Sequence, residues 1–182
     1  MTDPRNEQTE PRLPKELHQL LAPHFGEDVL DGYVAHLNKM PKLRSALTDY
    51  FNDPRTHPTT TPLFIYHEET NEWVTIMANN TQSPDQVGEP GSILAHIRHC
   101  GYNETLLCSD CYGQLSCSSC AIEILSGTLE NPIPREEEYD MLDIDESKPP
   151  TNKTRLGCQA ILGNHPMVIS IRAPQKKGVS KR

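Results

Sequence analysis

The chain has 182 residues, with 17 basic against 25 acidic side chains and a net charge of -8. That length suits one domain, or one domain with a small appendage, and buries a core without disulfide staples, while the negative charge disfavours nucleic-acid backbones and favours basic partners. No window approaches the roughly 18 apolar residues of a membrane span, and the polar start from Met1 to Glu10 has neither the apolar stretch of a signal peptide nor the Arg-rich character of a transit peptide. A cytoplasmic protein with no membrane and no nucleic-acid partner is expected.

After a polar, proline-bearing lead, Pro14 to Ala22 reads as a short helix that Pro23 ends. Val29, Leu30, Tyr33, Val34 and Leu37 then recur at helical spacing, as do Leu43, Ala46, Leu47, Tyr50 and Phe51, so two amphipathic helices follow, separated at Met40-Pro41. Each is too short to persist alone, and its stripe must be buried against the other helix, a core, a second copy or a partner. The proline- and threonine-rich stretch from Asn52 to Pro62 reads as a linker.

Leu63 to His67 and Trp73 to Met77 carry aromatic and β-branched residues around a polar turn, which predicts a β-hairpin. Ile93 to His99 predicts a helix closed by Gly101, and Ala121 to Leu125 a strand ending before Gly127. Arg135 to Asp145 reads as a helix with Pro134 at its start. Gln159 to Leu162 and Met167 to Arg172 then give two last short strands around a turn at Gly163-Asn164.

The chemistry concentrates in the cysteines. Cys111-x5-Cys117-x2-Cys120 sets three thiols on one tight loop, and Cys158 supplies a fourth from a distant segment. Four thiolates are what a 2Fe-2S centre requires, and a short loop aims its backbone N–H groups at the sulfurs. A tetrahedral zinc site is the competing reading, since Cys108-x2-Cys111 and Cys117-x2-Cys120 are knuckle-like pairs, but their separation is far below the roughly 15 to 20 residues of zinc ribbons. Cys100 reads as a packing residue, and Cys108 as a bystander in the loop. His96 and His99 read as a solvated pair.

The x5 interval differs from the x4 of plant-type ferredoxins and resembles the adrenodoxin-like branch, which includes ferredoxins of iron-sulfur assembly. Glu138-Tyr139-Asp140-Met141-Leu142-Asp143 is similar to that family's acidic helix, and Arg155-Leu156-Gly157-Cys158-Gln159 to its Arg-Leu-x-Cys-Gln box. Gly91-Ser92-Ile93-Leu94 resembles the start of its first helix, and Gly113 falls where its cluster loop has glycine. Where the family often has histidine after the third ligand, Ala121 stands. The segment from Asn103 to Asp110 is longer than the family's usual approach to the first ligand.

The resemblance implies an α+β, β-grasp 2Fe-2S ferredoxin domain over residues 62–174, preceded by a helical extension and linker over 1–61 and followed by a basic flexible tail over 175–182. It implies a one-electron carrier rather than an enzyme, with Cys111, Cys117, Cys120 and Cys158 holding a 2Fe-2S cluster. Its partners would be a ferredoxin reductase and an acceptor, either the iron-sulfur assembly machinery or a cytochrome P450. Glu136, Asp140 and Asp143, at helical spacing on one face, would form the partner-binding surface, with Met141, Leu142 and Ile144 turned inward. A redox-sensing module with the helical extension as output is the alternative. No Walker or Gly-x-Gly-x-x-Gly loop is present in the sequence to bind a nucleotide.

Overall fold

Residues 13–143 and 149–171 are described by a computed structural model. Ile144, the end of the acidic run at Asp145 and Glu146, Arg172 and the tail over 175–182 lie outside the described residues. The chain divides into two compact units, Met1–Pro58 and Thr59–Arg182.

The first unit is helical: α1 (Lys15–Leu21), α2 (Glu27–Asn38) and α3 (Pro41–Asn52), with a 3-10 turn at Pro54–Thr56. Pro41 opens α3 at its first turn, where the missing N–H would have had no partner. Leu17 and Leu21 of α1, Leu30, Tyr33 and Leu37 of α2, and Leu47 and Tyr50 of α3 are buried, so the apolar stripes read from the sequence are the faces these helices cover.

The second unit carries one mixed sheet in the order β2-β1-β5-β3-β4, built from β1 (Thr60–His67), β2 (Glu72–Asn79), β3 (Ala121–Ser126), β4 (Thr154–Leu156) and β5 (Met167–Ile171). β1 and β5 run parallel, and the other neighbours are antiparallel. The helix α4 (Ile93–His99) places Ile93, Leu94 and Ile97 in the same buried cluster as Leu63, Ile65, Ile122 and Ile169 of the sheet. Ser92 caps it, accepting the N–H of Ala95 at 3.2 Å. A mixed sheet grasping one helix is the β-grasp arrangement expected from the sequence.

Three readings are corrected. The linker gives way to β1 at Thr60, because Thr60, Thr61 and Pro62 pair with Asn79, Ala78 and Met77; Pro62 is tolerated there because pairing with β5 begins only at Leu63. Gln159 to Leu162 is not a strand but contributes a single bridge, Ser92 to Ile161, while the strand is the less apolar Thr154–Leu156. His96 is not solvated: it is buried, and burial followed by the neighbouring His99 lowers its pKa.

Candidate metal centre

The cluster loop is shaped by backbone that most side chains avoid. Tyr112, Gly113 and Leu115 have φ of 53°, 78° and 54°. A Cβ on Gly113 would lie 2.3 Å from the backbone nitrogen of Gly88, and one on Gly88 would lie 2.6 Å from the carbonyl oxygen of Cys158. Three chain segments therefore meet at two glycines. The Glu89 N–H, donating to the Cys158 carbonyl at 2.8 Å, fastens the same contact.

The long approach from Asn103 to Asp110 is packed down. Leu106 and Leu107 are buried, and Arg98 of α4 donates to the carbonyls of Asn103 at 2.8 Å and Leu107 at 2.6 Å while pairing with Glu104 at 2.8 Å.

Cys158 arrives from the far side. The Gly157 N–H donates to the Cys120 carbonyl at 2.8 Å, and the Leu94 N–H of α4 donates to the Gly157 carbonyl at 2.9 Å. Behind it stands a buried ion pair that the sequence reading did not single out. Glu138, 1% exposed, accepts from Arg155 Nε at 2.8 Å and Nη2 at 3.0 Å, and from the Leu156 N–H at 2.8 Å. Arg155 Nη1 donates to the Asn131 carbonyl at 2.7 Å. Glu138 lies on α5 (Glu136–Leu142), so this helix is tied to the residues just before Cys158.

The four predicted thiols come in two pairs. Burial raises the Cys111 pKa, but hydrogen bonds from the Ser116 backbone, the Cys117 thiol, the Ser116 hydroxyl and the Gln114 backbone outweigh it and bring the value down to about 7. Cys120 and Cys158 are buried. The Cys120 thiol donates to Cys158, which together with burial pushes the Cys120 pKa well up. That same bond, against burial and with help from Gln159 Nε2 at 3.5 Å, lowers Cys158. Ser119 Oγ lies 3.2 Å from Cys117 Sγ.

The surplus cysteines are not members of either pair, although Cys108 shares the Ser119 hydroxyl with Cys117. Cys108 Sγ donates to Asp110 Oδ1 at 3.3 Å, and burial followed by Asp110 raises its pKa. Cys100 is exposed, so it is not the packing residue expected.

Two pairs of thiols, with N–H donors from Gln114 and Ser116 at Cys111 and from Gln159 at Cys158, fit a group of two metal atoms carrying negative charge once the thiols are deprotonated. Among the described residues no three His, Cys, Asp or Glu side chains are grouped to hold one metal ion. The Ser109 hydroxyl, two residues before Cys111 and 2% exposed, has no hydrogen-bond partner among the described residues.

A 2Fe-2S ferredoxin of Rickettsia bellii is 34% identical over 103 residues, covering 56% of this chain and 88% of that protein. The chain belongs to the 2Fe-2S ferredoxins. No family model matches. Among solved structures, a ferredoxin of Rhodopseudomonas palustris HaA2 aligns with TM-score 0.48 and 20% identity, covering 63% of this chain and 98% of that one. A cysteine-to-glycine mutant of putidaredoxin gives 0.48 and 19%, covering 63% and 99%. An ISC-like [2Fe-2S] ferredoxin of Pseudomonas putida gives 0.42 and 25%, covering 62% and 92%. Membership rests on the Rickettsia relative.

The acidic residues expected at the partner surface, Glu136, Asp140 and Asp143, are all exposed on or beside α5, and Leu142 is buried beneath. Among the described residues no helix is long and apolar enough to cross a membrane.

Proposed function

We propose that Cys111, Cys117, Cys120 and Cys158 hold a 2Fe-2S cluster and that the chain is a cytoplasmic one-electron carrier, itself catalysing no reaction. Its donor would be a ferredoxin reductase, and its acceptor the iron-sulfur assembly machinery or a cytochrome P450. The observation that carries the reading is the pairing of the four thiols, Cys111 with Cys117 and Cys120 with Cys158. When bound, the cluster takes up and returns one electron. The protein's part is to favour thiolate over thiol through the N–H groups of Gln114 and Ser116, to keep the Cys120 and Cys158 side dry, and to fix the loop through Gly88 and Gly113. Exposed carboxylates on α5 attract a basic partner.

Alanine at any one of Cys111, Cys117, Cys120 or Cys158 should abolish normal cluster incorporation, whereas alanine at Cys100 or Cys108 should leave it intact. Iron and sulfide content with electron paramagnetic resonance of the reduced protein decides this. A normal cluster in Cys158→Ala overturns the ligand set, and a parent protein colourless in the visible but loaded with zinc overturns the cluster itself.

A further inference from the structure

We propose that Tyr112 is the contact residue through which a positively charged redox protein docks over the Cys111 side of the centre; this rests on the electron-carrier reading. Tyr112 follows Cys111 directly and is 76% exposed, although an aromatic ring is a side chain that gains by burial. Its φ of 53° lies in the left-handed region, which suits glycine or asparagine and costs a bulky residue. The loop cannot relax to remove that strain. Gly113 is pressed against the backbone of Gly88, with no room even for a Cβ, so the backbone at 112 is fixed and its side chain is held out in solvent. A tyrosine is thus kept where folding alone would select a smaller residue.

The surroundings specify the partner's charge. From His99 to Pro134 the chain has no lysine or arginine; Glu104 is paired with Arg98 and Glu123 accepts from Thr154 at 2.9 Å, so the acid that counts beside Tyr112 is Asp110. Asp110, exposed, stands two residues before Tyr112. An exposed aromatic ring two residues from an exposed carboxylate suits the lysine- and arginine-rich border around a buried cofactor edge, where it supplies apolar contact and accepts a cation over its face. The Cys120 and Cys158 side is buried, which leaves the Cys111 side as the approach.

The test compares reduced holoprotein of the parent, Tyr112→Phe and Tyr112→Gly, oxidised in stopped flow by ferric cytochrome c, a basic haem protein, and by ferricyanide, a small anion. In each reaction one electron leaves the reduced protein and one ferric centre becomes ferrous. Tyr112→Gly should react about fivefold or more slowly with cytochrome c at subsaturating concentration and equally fast with ferricyanide. Its visible spectrum should be unchanged and its melting temperature equal or higher, because glycine relieves the strain. Tyr112→Phe, which keeps the ring, should match the parent. Equal cytochrome c rates for Tyr112→Gly and parent overturn the docking role, as does equal slowing with both oxidants or a lowered melting temperature. A parent without 2Fe-2S absorbance defeats the carrier reading instead.

Discussion

At Gly113 the requirement for glycine is doubly determined: φ is 78°, and an added Cβ would meet the Gly88 nitrogen at 2.3 Å and its Cα at 2.6 Å. Both neighbours are backbone, so nothing nearby can yield without moving the strap that contacts Cys158. Gly113→Ala should therefore fail to retain a full cluster while the sheet still folds. Iron and sulfide per chain, read beside far-ultraviolet circular dichroism, checks this; a full cluster in the alanine variant shows the glycine contact to be dispensable. The four thiols were legible in the sequence because their spacing alone places them on one loop and one distant segment. Gly88 was not, because its role depends on two segments that only the tertiary fold brings to it.

Helix α5 shows what periodicity reads and what it hides. Its outward acids stood at helical spacing, but Glu138 lay in the same acidic run and turns inward to Arg155. A charge pattern does not distinguish a solvated carboxylate from one buried against a guanidinium contributed from beyond the helix. The same blindness to long-range pairing explains β4, where three residues pair with Ala121, Ile122 and Glu123 without an apolar run to announce them. Removing one member of the pair leaves the other charge buried, a loss of about 3 to 5 kcal/mol. Glu138→Gln should accordingly lower stability and loosen Cys158, since the Leu156 N–H and Arg155 share that carboxylate. The double variant Glu138→Leu with Arg155→Met should lose less than Glu138→Gln in a denaturant titration of the holoprotein. A single variant as stable as the parent shows that the pair holds nothing in place.

For the whole molecule, charge distribution matters more than the total of -8. Asp140 and Asp143 sit in the last turn of α5 and at its C-cap, with no basic residue in that turn. Negative charge there opposes the helix dipole, typically by about 0.3 to 1 kcal/mol per group. Folding gains nothing from these carboxylates at this end, whereas Glu136 and Glu137 in the first turn are favourably placed. The use proposed for Asp140 and Asp143 is to steer a basic partner, an attraction that salt screens over about 8 to 10 Å. Replacing both Asp140 and Asp143 with asparagine should slow reduction by a ferredoxin reductase and flatten its dependence on ionic strength. The visible spectrum should be unchanged and the melting temperature no lower than the parent's. Equal rates with equal salt slopes would make this end of α5 a solvated face and move the reductase's contact elsewhere. A slower rate accompanied by a lower melting temperature would mean that the two carboxylates help hold the fold.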